Sequence, residues 1–378
     1  MKEMQFAAVV LMTLLTLKLL MLPVKVTSNV FVNNSRWLMA CGTALVAVQF
    51  LLQHALGLRD IGITQAVLLN LILFMPASWL FSLSILFLQR QGRLNWVDKY
   101  LGFFAWMVVL ILLGVTITTD HRPLMMYSHL LYRTEIVSSG FFAISVTYYA
   151  WRHLYNLRAM RHALQNYYDS DTDYLLRWMQ LGVLILPIMG LMVPLLIFIE
   201  SPLLATAGLL FFGGIFYLVD SFCSYVVSSA PAKVREAEES EDLHGDAMDE
   251  SGVDRESISS ALDTSSLSPD NMQRVERAVK QWMGNGGHLK NGLKLPNVAE
   301  EVGVPQYLLT TWLRHKNLKY NEWMTGLRLE EARRVLIAHP EWSNEAVALH
   351  CGFSDRSYFL RKFKEEVGLS PAEYVRSL

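Results

Sequence analysis

The sequence predicts an all-α protein in two parts: a seven-helix transmembrane domain, followed by an all-helical domain with two helix-turn-helix units. Three observations support this fold class. Long apolar runs fill the first 227 of the 378 residues, whereas residues 271–378 show the helical spacing of apolar side chains. A short pattern typical of a helix-turn-helix also occurs twice in the second part.

Seven apolar runs in the first part are long enough to cross a bilayer, which takes about 20 residues of helix. They cover residues 4–22, 37–56, 63–88, 100–119, 131–150, 176–199 and 202–227. The first run lacks a small-residue cleavage site and is followed by further runs, so we interpret it as a span and not as a signal peptide. Residues 1–227 are therefore predicted to form a seven-span membrane domain.

The distribution of Lys and Arg predicts the orientation of these spans, because basic residues are enriched in cytoplasmic loops. With the N-terminus outside, the inner loops carry nine Lys and Arg and the outer segments carry four. This favours a multi-pass protein of the inner (cytoplasmic) membrane whose C-terminal part is cytoplasmic. The count uses no residue after position 227.

Ionisable residues and prolines within the runs are candidates for functional roles in the membrane. Asp220 lies in the seventh run, short of its inner end, and an intramembrane carboxylate is a functional candidate. A solvated or hydrogen-bonded Asp near the interface is the alternative. Glu135, at the outer end of the fifth run, is expected to be solvated. Pro76, Pro187 and Pro194 predict helix kinks.

No motif for a metal, a cofactor or an enzymatic reaction is found. Cys41, Cys223 and Cys351 form no C-x-x-C pair, so we expect buried free thiols and no disulfide or zinc site. The chain has no H-E-x-x-H, nucleophile elbow or P-loop motif. The sequence therefore predicts a protein without a cofactor that is not an enzyme.

Residues 228–270 have the composition of a disordered linker. Between 236 and 270 there are twelve acidic side chains and one basic side chain, with few large apolar residues. Such a segment buries too little apolar surface to offset the loss of chain entropy on ordering. A tether is the simpler role. Competition of its acidic residues with DNA for a basic face is the alternative.

The repeated pattern indicates two helix-turn-helix units within residues 271–378. Residues 299–304 (AEEVGV) recur 49 positions later as residues 348–353 (ALHCGF). The small Ala allows two helices to approach closely, and the Gly takes the positive φ of the turn. Leu309 and Leu313 in the first unit, like Phe359 and Phe363 in the second, have the spacing of a buried helix face.

The second helix of each unit is expected to enter the major groove of DNA. In the first unit it covers about residues 305–315, and in the second about residues 355–366, capped by Ser354. A connecting helix over about residues 321–338 would hold the two helices roughly one DNA turn apart. The predicted DNA-binding residues are Gln306, Tyr307, Thr310, Thr311, Arg314, Ser354, Arg356, Ser357, Leu360, Arg361 and Lys364.

The second unit resembles the AraC/XylS family of transcription regulators. The likeness rests on residues 352–364 (GFSDRSYFLRKFK), on the closing motif at 368–374 (GLSPAEY) and on residues 328–333 (RLEEAR) of the connecting helix. It covers about the last 85 residues. The resemblance implies two helix-turn-helix subdomains, promoter binding and usually activation of transcription. The soluble ligand-binding domain common in the family has no counterpart here, so the family's ligand site is not carried over.

These observations favour a one-component regulator whose spans sense a signal and whose tethered domain binds double-stranded DNA. Its other expected partners are the membrane and an unidentified small-molecule or lipid ligand; a second copy of the chain and RNA polymerase are further candidates. One alternative is a transporter or membrane enzyme fused to a regulator. The other is a regulator that the spans only anchor.

Overall fold

The computed structural model describes residues 2–23, 29–57, 67–120, 128–197, 203–228, 230–249 and 269–377. Within these ranges the chain forms fifteen α-helices, one π-helical and one 3-10 turn, and no β-structure beyond the isolated bridge between Tyr168 and Lys294. The all-α fold class predicted from the sequence is confirmed.

The chain divides into two compact units whose boundary differs from the one expected. The first comprises residues 1–159 and 175–231, and the second comprises residues 160–174 and 232–378. The short segment 160–174 connects the predicted fifth and sixth spans, yet it packs with the C-terminal part of the chain. Sequence reasoning placed this segment within the membrane domain.

The first unit is built from long apolar helices. They are α1 (Lys2–Leu20), α2 (Val30–Leu56), α3 (Met75–Gln89), α4 (Trp96–Asp120), α5 (His129–Tyr167), α6 (Asp173–Ile197) and α7 (Leu203–Val227). The last eight residues of α5 belong to the second unit.

Five stretches among the described residues are long and apolar enough to cross a membrane. They are Glu3–Leu20, Val30–Leu56, Val67–Gln89, Trp96–Asp120 and Gly208–Val227. The other two predicted runs lie in α5 and α6, and the side chains of residues 189 and 191–197 of α6 are outside the described residues. Each predicted run thus coincides with a helix, and the seven-span count stays a prediction.

Pro76 distorts the third helix in the way its chemistry requires. A proline in a helix lacks an N–H and clashes with the carbonyl four residues earlier, here that of Ile72. The helix widens into a π-helical turn over Asn70–Phe74 just before α3 begins. The indole Nε1 of Trp106 then donates to the freed carbonyl oxygen of Ile72, over 3.1 Å. The proline is thereby accommodated without leaving this buried acceptor unpaired.

Two carboxylates of the first unit differ in their surroundings. Asp220 forms an ion pair with Lys18, which lies in the last turn of α1, so its charge is compensated. Glu135 is 1% exposed, and neither of its carboxylate oxygens has a hydrogen-bond partner among the described residues. The expectation that Glu135 is solvated is wrong, because the side chain is buried among the helices of the first unit.

The prediction of a disordered linker is wrong for its first half. Helix α8 spans Ala230–Asp249, while residues 250–268 lie outside the described residues. Val234 and Ala237 are buried, and Arg235 pairs with Glu239 one turn later. Composition suggested disorder because the segment is acidic and has few large apolar residues. Alanine and glutamate nevertheless have high helix propensity.

Glu236 fastens α8 within the second unit. Its carboxylate accepts hydrogen bonds from Lys294 at 2.5 Å, from Tyr168 at 2.8 Å and from Tyr167 at 3.0 Å. Burial alone would raise the pKa of Glu236, but these three donors hold it below its usual value. The side chain is therefore ionised at neutral pH.

The rest of the second unit contains seven helices around two hydrophobic cores. The helices are α9 (Pro269–Gly284), α10 (Leu295–Val302), α11 (Gln306–His315), α12 (Tyr320–Ala338), α13 (Asn344–His350), α14 (Arg356–Val367) and α15 (Pro371–Arg376). Tyr320, Trp323 and Met324 of α12 lie in the first core, with α9, α10 and α11. Leu329, Ala332 and Leu336 of the same helix lie in the second core, with α13 and α14. One helix therefore joins two subdomains.

We expect Gly352→Ala to destabilise the second unit more than Gly303→Ala does. Both glycines have a positive φ, +80° and +74°, so either alanine carries the left-handed penalty of about 1–2 kcal/mol. A Cβ at Gly352 would also lie 2.4 Å from the carbonyl oxygen of Leu289, whereas at Gly303 no described atom lies within 4 Å.

The measurement is the urea concentration at which half of the C-terminal part is unfolded. Pulse proteolysis of the purified full chain in detergent gives this midpoint. Gly303→Ala is the matched control because it shares the strain and lacks the clash. Equal midpoint shifts for the two variants would contradict the structural explanation.

Candidate nucleic-acid interface

The first helix-turn-helix unit consists of α10, a turn at Gly303 and α11. Gly303 has φ +74°, and the amide of Val304 donates back to the carbonyl of Ala299 over 3.0 Å. Ala299 is 2% exposed, so the close approach of the helices occurs where the sequence predicted it. Leu309 and Leu313 are also buried. The predicted geometry of this unit is confirmed.

The second helix-turn-helix unit repeats this arrangement with α13, a turn at Gly352 and α14. Gly352 has φ +80°, and the amide of Phe353 donates to the carbonyl of Ala348 over 2.9 Å. Phe359 and Phe363 are fully buried, as expected from their spacing. Between helix and turn lies Cys351, whose burial raises the pKa of the thiol to about 12. This thiol is therefore protonated at neutral pH and contributes to the core.

The N-cap of α14 is Asp355 and not Ser354. The Asp355 carboxylate accepts from the amide of Tyr358 over 2.7 Å, whereas Ser354 is exposed outside the helix. Both residue types are good N-caps, so local sequence does not distinguish them. The backbone decides, because Asp355 is the last residue before helical φ and ψ begin.

The predicted contact residues of α11 lie on its outward side, with different degrees of burial. Tyr307 and Arg314 are exposed, whereas Gln306, Thr310 and Thr311 are half-buried. The hydroxyls of Thr310 and Thr311 donate to carbonyls four residues earlier, those of Gln306 and Tyr307. Each hydroxyl keeps its oxygen free to accept a further hydrogen bond.

The predicted residues of α14 form a more basic surface. Arg356, Ser357, Arg361 and Lys364 are exposed. Leu360 was expected to face outward, but it is half-buried and packs against the second core. Its apolar side chain packs against the core that contains Phe359 and Phe363, because burying apolar surface is favourable. Leu360 is therefore removed from the outward set.

Arg328 of the connecting helix α12 is buried and its guanidinium is fully engaged within the second compact unit. It is 2% exposed, and its guanidinium donates to the carbonyl of His288, to that of Lys290 and to the carboxylate of Asp169. The distances are 3.0, 2.6 and 2.6 Å. Arg328 is thus a buried structural residue of the second unit. Arg334, on the same helix, forms an ion pair with Glu331 at 3.0 Å.

Sequence reasoning missed the acidic segment that contacts this domain. Asp169 pairs with Arg328, and Asp171 pairs with Arg361 on the exposed face of α14. Three aspartates at alternate positions, 169, 171 and 173, lie between the predicted fifth and sixth spans. The prediction of orientation used only the Lys and Arg residues of this connection. This acidic cluster on the predicted cytoplasmic side was the sequence feature that could have indicated a contact with a basic surface. The neighbouring residues give no information about which basic residue, more than 150 positions away, is the partner.

Comparisons with known proteins agree with the geometry of the C-terminal part. Residues 298–377 match a family model described as a helix-turn-helix domain. The chain is 32% identical to the regulatory protein PocR of Salmonella typhimurium over 92 residues, which are 24% of this chain and 30% of PocR. It is 31% identical to the HTH-type transcriptional regulator GadX of Escherichia coli K12 over 80 residues, 21% and 29% of the two chains. No solved structure matches the chain.

The C-terminal domain is a helix-turn-helix domain of the AraC type. The chain spans less than a third of the length of either relative, so the likeness concerns this AraC-type domain and not the whole protein. The match begins within α10 and ends at residue 377, directly after α15, and therefore includes both turns and both second helices. Helix α9 and the helices of the first unit lie outside it.

We expect Asp355→Ala to lower the stability of the AraC-type domain by about 1 kcal/mol, the usual cost of losing an N-cap. Ser354→Ala should leave stability unchanged, because its hydroxyl does not cap α14. Asp355→Asn should retain most of the stability, because the amide oxygen still accepts from Tyr358. Urea midpoints of the three variants in the full chain test this. A larger loss for Ser354→Ala than for Asp355→Ala would restore the cap expected from the sequence.

Proposed function

We propose that this protein is a membrane-bound transcription regulator that binds specific double-stranded DNA through α11 and α14. The observation that carries the proposal is the pair of helix-turn-helix units built on one connecting helix. Helix α12 has 19 residues, about 28 Å at 1.5 Å per residue. Two recognition helices held at such a spacing suit successive major-groove segments, which are about 34 Å apart.

The two recognition helices have different proposed shares in recognition. Arg356 and Arg361 on α14 are suited to bidentate bonds with guanine, and Lys364 is suited to a phosphate. On α11, Gln306, Thr310 and Thr311 offer amide and hydroxyl groups for base edges, while Tyr307 and Arg314 lie exposed beside them. Ser354 and Ser357 flank the start of α14 and are proposed phosphate contacts.

The membrane part of the proposal is supported by the apolar helices of the first unit. Five described stretches have the length and hydropathy of spans. We propose an inner-membrane location with the N-terminus outside and the AraC-type domain in the cytoplasm, where it can reach DNA. This orientation follows from the distribution of basic residues and from the need of the domain for DNA.

Sensing by the spans is the finer proposal, and Glu135 is the residue that favours it. A buried carboxyl group without a hydrogen-bond partner within apolar helices is costly, and such groups are commonly functional. Asp220, the functional candidate from the sequence, is compensated by Lys18 and is better explained as one half of a structural ion pair. Anchoring without sensing predicts that Glu135→Gln leaves gene regulation unchanged under every condition.

We expect Arg356→Ala to weaken binding to the specific site by about 1–3 kcal/mol, the value of one good contact with a base. The full chain in lipid nanodiscs is first used to select bound fragments from fragmented genomic DNA, and affinities are then measured at fixed salt. Arg277→Ala is the charge-matched control, because Arg277 is exposed on α9, outside both helix-turn-helix units. An equal loss for both variants would reduce the role of Arg356 to general charge, and the absence of any selected fragment would contradict sequence-specific binding.

The proposed orientation predicts the accessibility of two introduced cysteines. In a background of Cys41→Ser, Cys223→Ser and Cys351→Ala, a membrane-impermeant maleimide should label Asp120→Cys in cells whose inner membrane is intact. Asn95→Cys, at the other end of α4, should be labelled only after that membrane is permeabilised. The opposite pattern would contradict the orientation, and labelling of both without permeabilisation would contradict a span between them.

A further inference from the structure

Residues 168–172, which we call the loop segment, dock onto the AraC-type domain. Tyr168 forms an isolated antiparallel bridge with Lys294, and the amide of Asp169 donates to the carbonyl of Leu293 over 3.3 Å. The side chain of Asn321 donates to the carbonyl of Ser170 over 2.7 Å. The loop segment directly follows α5, so a connection between two predicted spans is bound by the DNA-binding domain itself.

Asp169 anchors the loop segment. Its carboxylate is 1% exposed, and one oxygen accepts both from Arg328 at 2.6 Å and from the amide of Leu293 at 2.9 Å. Removing one partner of a buried ion pair strands the other charge and is strongly destabilising, so this contact is a fixed attachment. Because Arg328 lies on α12, the attachment is to the helix that joins the two subdomains.

The anchor brings Asp171 to the recognition helix. The carboxylate of Asp171 forms an ion pair and hydrogen bond with the guanidinium of Arg361. Arg361 is half-exposed there, and its guanidinium also lies 5.4 Å from the ring centre of Tyr358. The group proposed to bind guanine or phosphate is thus already occupied by a carboxylate of the same chain.

A contact at the first recognition helix has the same character. The amide of Gln306 donates to the hydroxyl of Ser240 on α8, over 3.0 Å. Helix α8 is fastened nearby by Glu236 and Lys294. Each of the two recognition helices therefore has one predicted DNA-binding side chain bonded to a segment that lies outside the helix-turn-helix units.

We propose that the loop segment is an intramolecular competitor of DNA, in which Asp169 attaches the segment to α12 and Asp171 holds Arg361 away from DNA. This competition rests on the proposed function, since it regulates the same DNA-binding surface. The two ion pairs have different roles because they differ in burial. The pair of Asp169 with Arg328 is enclosed and stays formed. The pair of Asp171 with Arg361 is partly exposed, so a base or a phosphate can replace Asp171 as the partner of Arg361.

The competition has a physical consequence for signal transfer. The loop segment is covalently continuous with α5 and α6, so a rearrangement of these helices changes how well Asp171 is presented to Arg361. Closing or opening an exposed ion pair changes affinity severalfold, which is a sufficient range for graded regulation. In this scheme the signal does not have to cross residues 250–268.

The test is the affinity of the full chain in nanodiscs for a duplex selected from genomic fragments. Asp171→Asn should raise this affinity about two- to fivefold at 0.15 M salt, the worth of an exposed ion pair. The substitution keeps the oxygen that accepts from the amide of Asp173. Asp173→Asn is the matched control, because it removes the same charge two residues later from a pair with Arg161 at 3.3 Å.

A double-mutant cycle separates direct pairing from general charge. In an Arg361→Ala background, Asp171→Asn should have no further effect on affinity, because its partner is gone. An equal gain in both backgrounds, or an equal gain from Asp173→Asn, would overturn the proposal in favour of long-range repulsion. Unchanged affinity for Asp171→Asn would overturn it as well. Failure of the unmodified chain to select any duplex would instead refute the proposed function, so the two failures are distinguishable.

Discussion

The second compact unit depends on the interactions of one buried guanidinium, that of Arg328. It lies on α12 between two hydrophobic cores and bonds to the carbonyls of His288 and Lys290 and to the carboxylate of Asp169. A buried arginine is tolerated only when its charge and donors are matched, and here both are. The same side chain therefore fixes the turn before α10, the connecting helix and the loop segment relative to one another.

This arrangement attaches the AraC-type domain to a segment that lies outside its helix-turn-helix units. The loop segment adds an acidic side chain next to a basic recognition surface. A carboxylate near that surface opposes phosphate and competes for the same donors, so the attachment bears on affinity as well as on stability.

In the first unit, polar groups lie within apolar helices, where they are costly unless they are paired inside the protein. The carbonyl freed by Pro76 is taken by Trp106, and the charge of Asp220 is met by Lys18. Glu135 differs from them, since it is buried and neither carboxylate oxygen has a hydrogen-bond partner among the described residues, whereas the other unpaired buried atoms of this unit belong to amide, hydroxyl, imidazole or indole groups. That difference is why it, and not Asp220, is the residue of interest for sensing.

The sequence by itself determined what depends on short-range pattern. The positive φ of Gly303 and Gly352 and the buried faces of α11 and α14 were predicted correctly, because backbone freedom and helical period act over a few residues. Tertiary structure alone decided the partner of Arg328, the pairing of Asp171 with Arg361 and the ordering of α8. Each of these depends on groups far apart in the chain, and a charged residue carries no local mark of the partner that it will meet.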